Sequence, residues 1–434
     1  MSRKLKLAVA QSRTLDTVVD TLQALEKTTL LCAESGVDLI LFPEAYLGGY
    51  PRTCNFGVSV GDRELGGRNQ FLEYFKSAVD LGDTPAGEGD AWVERTLPIA
   101  KGANFRGDGT REELERIARD SGVFIVTGLV EKSGGSLYCA VVYVCPKLGM
   151  LGKRRKIMPT GTERLIWAQG SPSTLRAVTT TIRDVKLTLA ALICWESYMP
   201  LVRQSLYSQN VNLYLAPTAD SRETWLPLMR TVGFEGRTFV LSANQCVKRK
   251  HLPAWVKQQS HISTNSTDGL PPLTRRRTST ITKDEDGHEI CWPSGDVHQP
   301  DLNKADSRKT NGIIDESQSD PQDHETPSLT RRRNSVITET PEHHEICWPQ
   351  IKPFVSEVPI YDDDEEYVSK GGSCIISPFG EILAGPIFNE DPGLLIVEAD
   401  FDDCERGKLD LDVAVSRNDA FKLTVEGLDL RPPP

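Results

Sequence analysis

The stretch "LTLAALICWESYMPL", residues 187–201, runs from Leu187 to Ile193 through small and branched residues, then presents Cys194, Trp195 and Glu196 in succession. A nearly unbroken apolar run of this length reads as a strand covered on both faces. Such a strand needs a layer above and a layer below, so this segment decides the fold class.

Outward from it the same beat recurs. Lys4–Gln11 reads as a strand, and Thr17–Ser35 as a helix with Val18, Leu22, Leu25, Thr29 and Cys32 near one face. "VDLILFP" from Val37 is a second two-sided strand, Arg111–Ser121 a helix, and "VFIVTGLVE" and "YCAVVYVC" two strands joined across Gly134-Gly135. After residue 201 come a helix at Leu201–Gln209, the strand "VNLYLAP", a helix near Leu226–Arg237 and the strand "FVLSANQ". Alternating strands and helices of this kind form α/β layers in which helices cover a buried sheet.

The chain has 434 residues, ample for a large core, and a net charge of −11 that gives no reason to expect a nucleic-acid surface. Ten cysteines stand without a CxxC pair, and the opening "MSRKLKLAVAQ" holds too short an apolar run for a signal peptide. No run approaches the roughly twenty apolar residues of a membrane span. The expectation is a soluble, cytoplasmic protein with free thiols.

From about residue 257 to 366 apolar residues thin out, and Ser, Thr, Pro, Asp, His and Arg dominate. Such a composition buries too little apolar surface to offset ordering entropy, so mostly disorder is expected there. The segment contains a repeat: "PPLTRRRTSTITKDEDGHEICWP" (271–293) and "PSLTRRRNSVITETPEHHEICWP" (327–349), offset by 56 positions. Each copy places two arginines, one residue and a serine in the pattern a basophilic kinase reads, ending at Ser279 and Ser335. The alternative is a solvated basic linker. His288, Cys291, His344 and Cys347 are too far apart for a compact zinc site, so no metal is expected. Apolar character resumes with "GGSCIISPFGEILAGP" and "GLLIVEADF", too few strands for a domain of their own. The organisation expected is one domain, residues 4–256 and 367–430, interrupted by the insertion 257–366.

Three reactive side chains stand just after apolar runs: Glu44 after "DLILFP", Lys156 after "GMLGKRR" and Cys194 after "LTLAALI". In open α/β sheets, the strand ends are where sites are built. A thiol needs a base to take its proton, and a lysine can stabilise the anion formed after attack. Glu, Lys and Cys are therefore an acyl-transfer set that needs no histidine. Spacing alone does not bring them together, and a single free cysteine is usually a small buried hydrophobe.

"FPEAYLGGYP", "RRKIMPTGTERLIWAQG" and "ICWESYMPL" together resemble the three signature regions of the nitrilase branch of the carbon–nitrogen hydrolases, in the right order. "APTADSRETW", "EGRTFVLSANQ" and "GGSCIISPFGEILAGP" resemble further blocks of that family, and the "CWE" form looks closest to plant and fungal nitrilases. The resemblance implies an α-β-β-α sandwich with Glu44 as general base, Lys156 as cationic stabiliser and Cys194 as nucleophile. It implies that Glu163 positions the lysine and the attacking water, although an acid there also suits a helix N-terminus. Trp195, through its backbone N–H, is a candidate oxyanion donor, and Tyr50, Tyr46, Trp167 and Tyr198 are pocket candidates.

The activity implied is hydrolysis of an organic nitrile to the acid and ammonia through a thioimidate and a thioester, without metal or organic cofactor. The alternatives are an amidase with the same residues, or a non-catalytic scaffold. The resemblance also implies a homo-oligomer, a dimer or a larger spiral. Two departures stand out: Ser197 replaces a common Asn, and "LDLDVAVSRNDAF" is two residues short of the family pattern.

Overall fold

The computed structural model describes residues 3–59, 62–82, 99–257, 276–283, 289–293, 334–339, 345–349 and 363–411. Two sheets carry the larger unit. The first runs in the order Gly393–Asp400, Lys4–Gln11, Leu39–Leu41, Phe124–Ser133, Ser136–Cys145 and Gly149–Arg155. The second runs Cys246–Lys248, Tyr367–Ile376, Phe239–Asn244, Leu213–Thr218, Val185–Ala191 and Val178–Ile182, and Ile382–Phe388 also pairs with Tyr367–Ile376.

Burial explains the apolar runs. Side chains alternate across a strand, and here both faces are covered. In Lys4–Gln11, Leu5, Leu7 and Val9 join one core while Ala8 and Ala10 join another. In the opening stretch Leu187, Leu189, Ala191 and Ile193 join the first core, whereas Ala190 and Leu192 join a third. The first core draws on both sheets. The second lies between the first sheet and the helices Val18–Glu34 and Thr110–Ser121, which supply Leu22, Leu25, Cys32, Leu114, Ile117 and Ala118. The third joins the second sheet to Pro200–Tyr207 and Trp225–Gly236 through Val202, Leu206, Trp225, Met229 and Val232. The result is the α-β-β-α sandwich.

Local signals hold as well. The Thr17 side chain accepts from Asp20 N at 3.0 Å and starts the first helix. Ser133 pairs with Ser136 across the Gly134-Gly135 turn. The strands after the insertion complete sheets begun before it: Gly393–Asp400 lies antiparallel to Lys4–Gln11, and Tyr367–Ile376 antiparallel to Phe239–Asn244. Helix Leu65–Ser77 escaped the sequence reading, because only Gly67, Gln70 and Tyr74 of it are buried and no apolar stripe marks it. None of the described helices is long and apolar enough to cross a membrane.

A second unit spans Ser266–Tyr361. Its described residues form a four-stranded antiparallel sheet in the order Glu289–Pro293, Arg276–Lys283, Asn334–Glu339, Glu345–Pro349. The expectation for 257–366 is of mostly disorder, and the strands described there are these four short segments. Each repeat copy folds back on itself, since "TSTIT" and "SVIT" carry the β-branched residues a strand favours. The rest of the insertion lies outside the described residues, as does most of "LDLDVAVSRNDAF".

Candidate active site

The strand Val185–Ala191 ends, the chain passes through Leu192 and Ile193, and Cys194 turns it into a 3-10 helix, Cys194–Tyr198. Cys194 has φ +54°, a left-handed value rare for a residue with a side chain. Such a conformation costs about 1–3 kcal/mol and persists only where the surroundings hold it. Glu196 is what holds it. Its carboxylate accepts from the N–H groups of Ile193 (2.8 Å), Ile157 (2.8 Å) and Met158 (3.2 Å), and from both ends of the Arg154 guanidinium (2.6 and 2.7 Å). The nucleophile turn is thereby tied to the segment that carries the lysine.

That segment contains four successive cations, Lys153 to Lys156, all buried. Buried charges are tolerated only when paired, and strand alternation sorts the partners. Lys153 and Arg155 both bind Glu131, at 2.5 and 2.7 Å; Arg154 binds Glu196; and Lys156 Nζ donates to Glu44 Oε1 at 2.8 Å and Glu163 Oε2 at 2.7 Å.

Glu44 follows the strand Leu39–Leu41, and its backbone runs against Gly128. A Cβ on Gly128 would lie 2.3 Å from Pro43 O and 2.8 Å from Glu44 Cα, so only glycine fits. The Glu44 carbonyl accepts from Gln245 Nε2 at 2.9 Å. In its fully buried carboxylate, Oε1 accepts from Lys156, and Oε2 has no partner in hydrogen-bonding geometry.

Electrostatics follow from burial. Desolvation raises the pKa of Glu44, and Lys156 pulls against it without cancelling it. The Cys194 thiol is also pushed up, by burial first and the Glu44 charge second, so it rests as the neutral thiol. Burial alone would lower the pKa of Lys156, but the Glu44 and Glu163 carboxylates outweigh burial and hold the ammonium charged. Thr218 Oγ1 donates to Cys194 Sγ at 3.1 Å, ready to stabilise a thiolate.

Residues 6–266 match the model of the carbon-nitrogen hydrolase family. An arylacetonitrilase of Trametes versicolor is 32% identical, with 100% of this chain and 99% of the relative covered. Nitrilase 1 of Arabidopsis thaliana is 32% identical over 98% of this chain and 87% of its own length. An aliphatic nitrilase of Sinorhizobium fredii is 38% identical over 58% and 72%. The chain belongs to the carbon-nitrogen hydrolases, on their nitrilase branch.

Around the cluster, this carbon-nitrogen hydrolase places the remaining sequence candidates at different depths. Glu163 is the third residue of the short 3-10 helix Gly161–Leu165, where its Oε2 also accepts from Thr160 N at 2.8 Å and its Oε1 from Tyr50 OH at 2.9 Å. It is therefore both a helix-start acid and a lysine partner. Tyr50 is pushed well above the usual phenol pKa by burial and then by Glu44, so it stays a donor. Trp167 stands edge-on to Tyr50, ring centroids 5.5 Å apart, and 5.7 Å from Lys156 Nζ. Trp195 Nε1 donates to Asp220 at 2.8 Å while Arg222 stacks on its ring. Tyr198 packs against Trp195 and pairs its hydroxyl with Thr224.

Tyr46 does not line this site. It stacks on Phe42 in the core between the first sheet and its helices, because a strand-end residue two places on from Glu44 has turned to the helix side. Ser197 is buried with its hydroxyl 2.9 Å from that of Tyr214, so the serine is fully accommodated. Ser279 and Ser335 belong to the second unit, opposite Pro293 and Pro349 in its sheet.

Sequence reasoning passed over Arg154, Glu196, Gly128, Cys139 and Thr218. The only signal for the first two was the density of charge in "GKRRK" and "CWE" beside apolar runs, where unpaired charge would be untenable.

Proposed function

We propose that this hydrolase converts an organic nitrile and two waters into a carboxylic acid and ammonia. The observation that carries the reading is the thiol at a left-handed strand-end turn in the same buried cluster as a carboxylate with one oxygen free and a lysine bound to its other oxygen. The relatives named nitrilase support the choice of substrate over an amide.

In the proposed sequence, Glu44 takes the Cys194 proton as sulfur adds to the nitrile carbon, and the nitrogen is protonated to give a thioimidate. A first water gives its proton to Glu44 and adds to carbon; the nitrogen, protonated in turn, leaves as ammonia, and a thioester remains. A second water attacks in the same way, releasing the acid and returning the proton to sulfur. A base with a raised pKa accepts these protons better at neutral pH than an ordinary carboxylate. Lys156 offsets negative charge as it develops, Glu163 and Tyr50 orient the lysine, and the Trp195 N–H is the proposed oxyanion donor. The steps use side chains and water alone.

Ammonia release from aryl, arylaliphatic and aliphatic nitriles, with the matching amides alongside, tests the reading. Turnover of amides only would make it an amidase, and no turnover of either a scaffold. Full turnover by Cys194→Ala would overturn the mechanism. Within the same proposal we place one catalytic domain at residues 4–256 and 367–430, a homo-oligomer of dimers or larger spirals, and a cytoplasmic location. Ser279 and Ser335 are proposed kinase sites; phosphopeptide mapping from native cells that finds both unmodified would end that idea.

A further inference from the structure

We propose that Cys139 is a positioning residue for Glu44, fixing the plane of its carboxylate so that Oε2 is the oxygen that accepts protons. The inference rests on Glu44 being the general base.

Cys139 touches both halves of the site. Its carbonyl accepts from Lys156 N at 2.7 Å, and its thiol donates to Glu44 Oε1 at 3.6 Å. It sits in the strand Ser136–Cys145, on the inner face with Leu137, Val141 and Tyr143, and is fully buried. The terminal torsion of a glutamate is broad and roughly two-fold, so a single donor leaves the carboxylate plane free to swing. Two donors on Oε1, Lys156 and Cys139, define the plane. They also leave Oε2 as the more basic oxygen, since it alone has no partner. An orphaned oxygen in a dry site is expensive unless used, and here it is the one atom of Glu44 that the fold leaves available to the thiol and to water.

The Cys139 thiol suits the part. Burial, and then the Glu44 charge, push its pKa well up, so it remains S–H and is neither a competing nucleophile nor a second negative charge beside the base. Lys156, Glu163, Cys194, Tyr50 and Arg52 also interact electrostatically with Glu44, and of these Lys156 shares Oε1 with the Cys139 thiol.

The test compares Cys139→Ala, which removes the donor, with Cys139→Ser, which keeps one. The readout is the pH dependence of Cys194 alkylation by iodoacetamide, followed by mass spectrometry of the Cys194 peptide, together with kcat and KM. Alkylation reports the base even if the substrate is not a nitrile, so failure of that reading leaves the test intact. Removing a donor from a carboxylate raises its pKa, so the acid limb in Cys139→Ala should move up by about half a pH unit or more. With the carboxylate plane released, kcat should fall about tenfold with KM within about twofold. Cys139→Ser, which keeps a donor, should stay close to the parent in both, its limb within about 0.2 pH unit. An unmoved limb and unchanged kcat in Cys139→Ala overturns the proposal, as does Cys139→Ser falling with Cys139→Ala. Should Cys139→Ala fail to fold, Cys139→Ser decides: a limb within about 0.2 pH unit of the parent supports the proposal and a larger upward shift overturns it.

Discussion

Replacing Glu196 by Gln tests how the fold holds its nucleophile. The carboxylate Oε1 receives Arg154 Nη2, Ile157 N and Met158 N, and Oε2 receives Arg154 Nη1 and Ile193 N. A glutamine must present its NH2 to one of these sets, so at least two donors face a donor. Breaking one partner of a buried ion pair costs about 3–5 kcal/mol, and an unsatisfied buried N–H about 1–3 kcal/mol. The two overlap here, and about 4 kcal/mol is the expected loss, near a thousandfold in the folding equilibrium. Urea unfolding followed by tryptophan fluorescence reads it. Because the Ile193 bond braces the left-handed turn at Cys194, kcat should fall as well, even where the variant is fully folded. Arg154→Met in the Glu196→Gln background should cost at least about 2 kcal/mol less than the sum of the single changes, since they break the same pair. Burial pushes the Glu196 pKa up, but Arg154, Lys156 and the Ile193 N–H outweigh it, and the net shift is downward. A depressed folded-state pKa stabilises above the unfolded value and is lost as pH falls through the folded one. The parent should therefore lose stability on acidification more steeply than Glu196→Gln. A variant within 1 kcal/mol of the parent, with unchanged kcat, would refute the clamp.

Gly128→Ala should cut kcat by about a hundredfold or more, since its methyl cannot coexist with Pro43 O at 2.3 Å and Glu44 must move; a parent-like rate in the folded variant would show that the backbone yields elsewhere. The acid limb of kcat/KM should lie above the usual carboxylate range, because the base must be ionised and burial raises the pKa of Glu44; a limb near about pH 4 would contradict this. Excising residues 258–362 and bridging the gap with a short Gly-Ser linker should leave turnover and melting temperature close to those of the full chain. The flanking segments are joined by pairing of Cys246–Lys248 with Tyr367–Lys370 and by ion pairs of Lys248 and Lys250 with Glu365 and of Arg249 with Glu366. Loss of the folded state on excision would make the insertion part of the core.

Some of this was written in the sequence alone. Runs such as "LTLAALI" and "VDLILFP" demanded cover on both faces, and that demand already implies layers, because alternating side chains of one strand cannot share a single core. Glu44, Lys156 and Cys194 were legible as strand-end residues, and their order with "CWE" made the family recognisable. Composition marked the insertion as a segment apart, and the β-branched residues of its repeat fall in the strands Arg276–Lys283 and Asn334–Glu339. Only the tertiary structure decided which charge meets which. The four cations of "GKRRK" look alike in sequence, yet pleat alternation sends Lys153 and Arg155 to Glu131, Arg154 to Glu196, and Lys156 to Glu44 and Glu163. Tyr46 and Tyr50 looked equivalent and ended in different layers. The free oxygen of Glu44, the bond from Cys139 and the fit of Gly128 against Pro43 arise from strands distant in sequence meeting in one sheet. Local pattern determines that a side chain is buried; only packing determines what it is buried against.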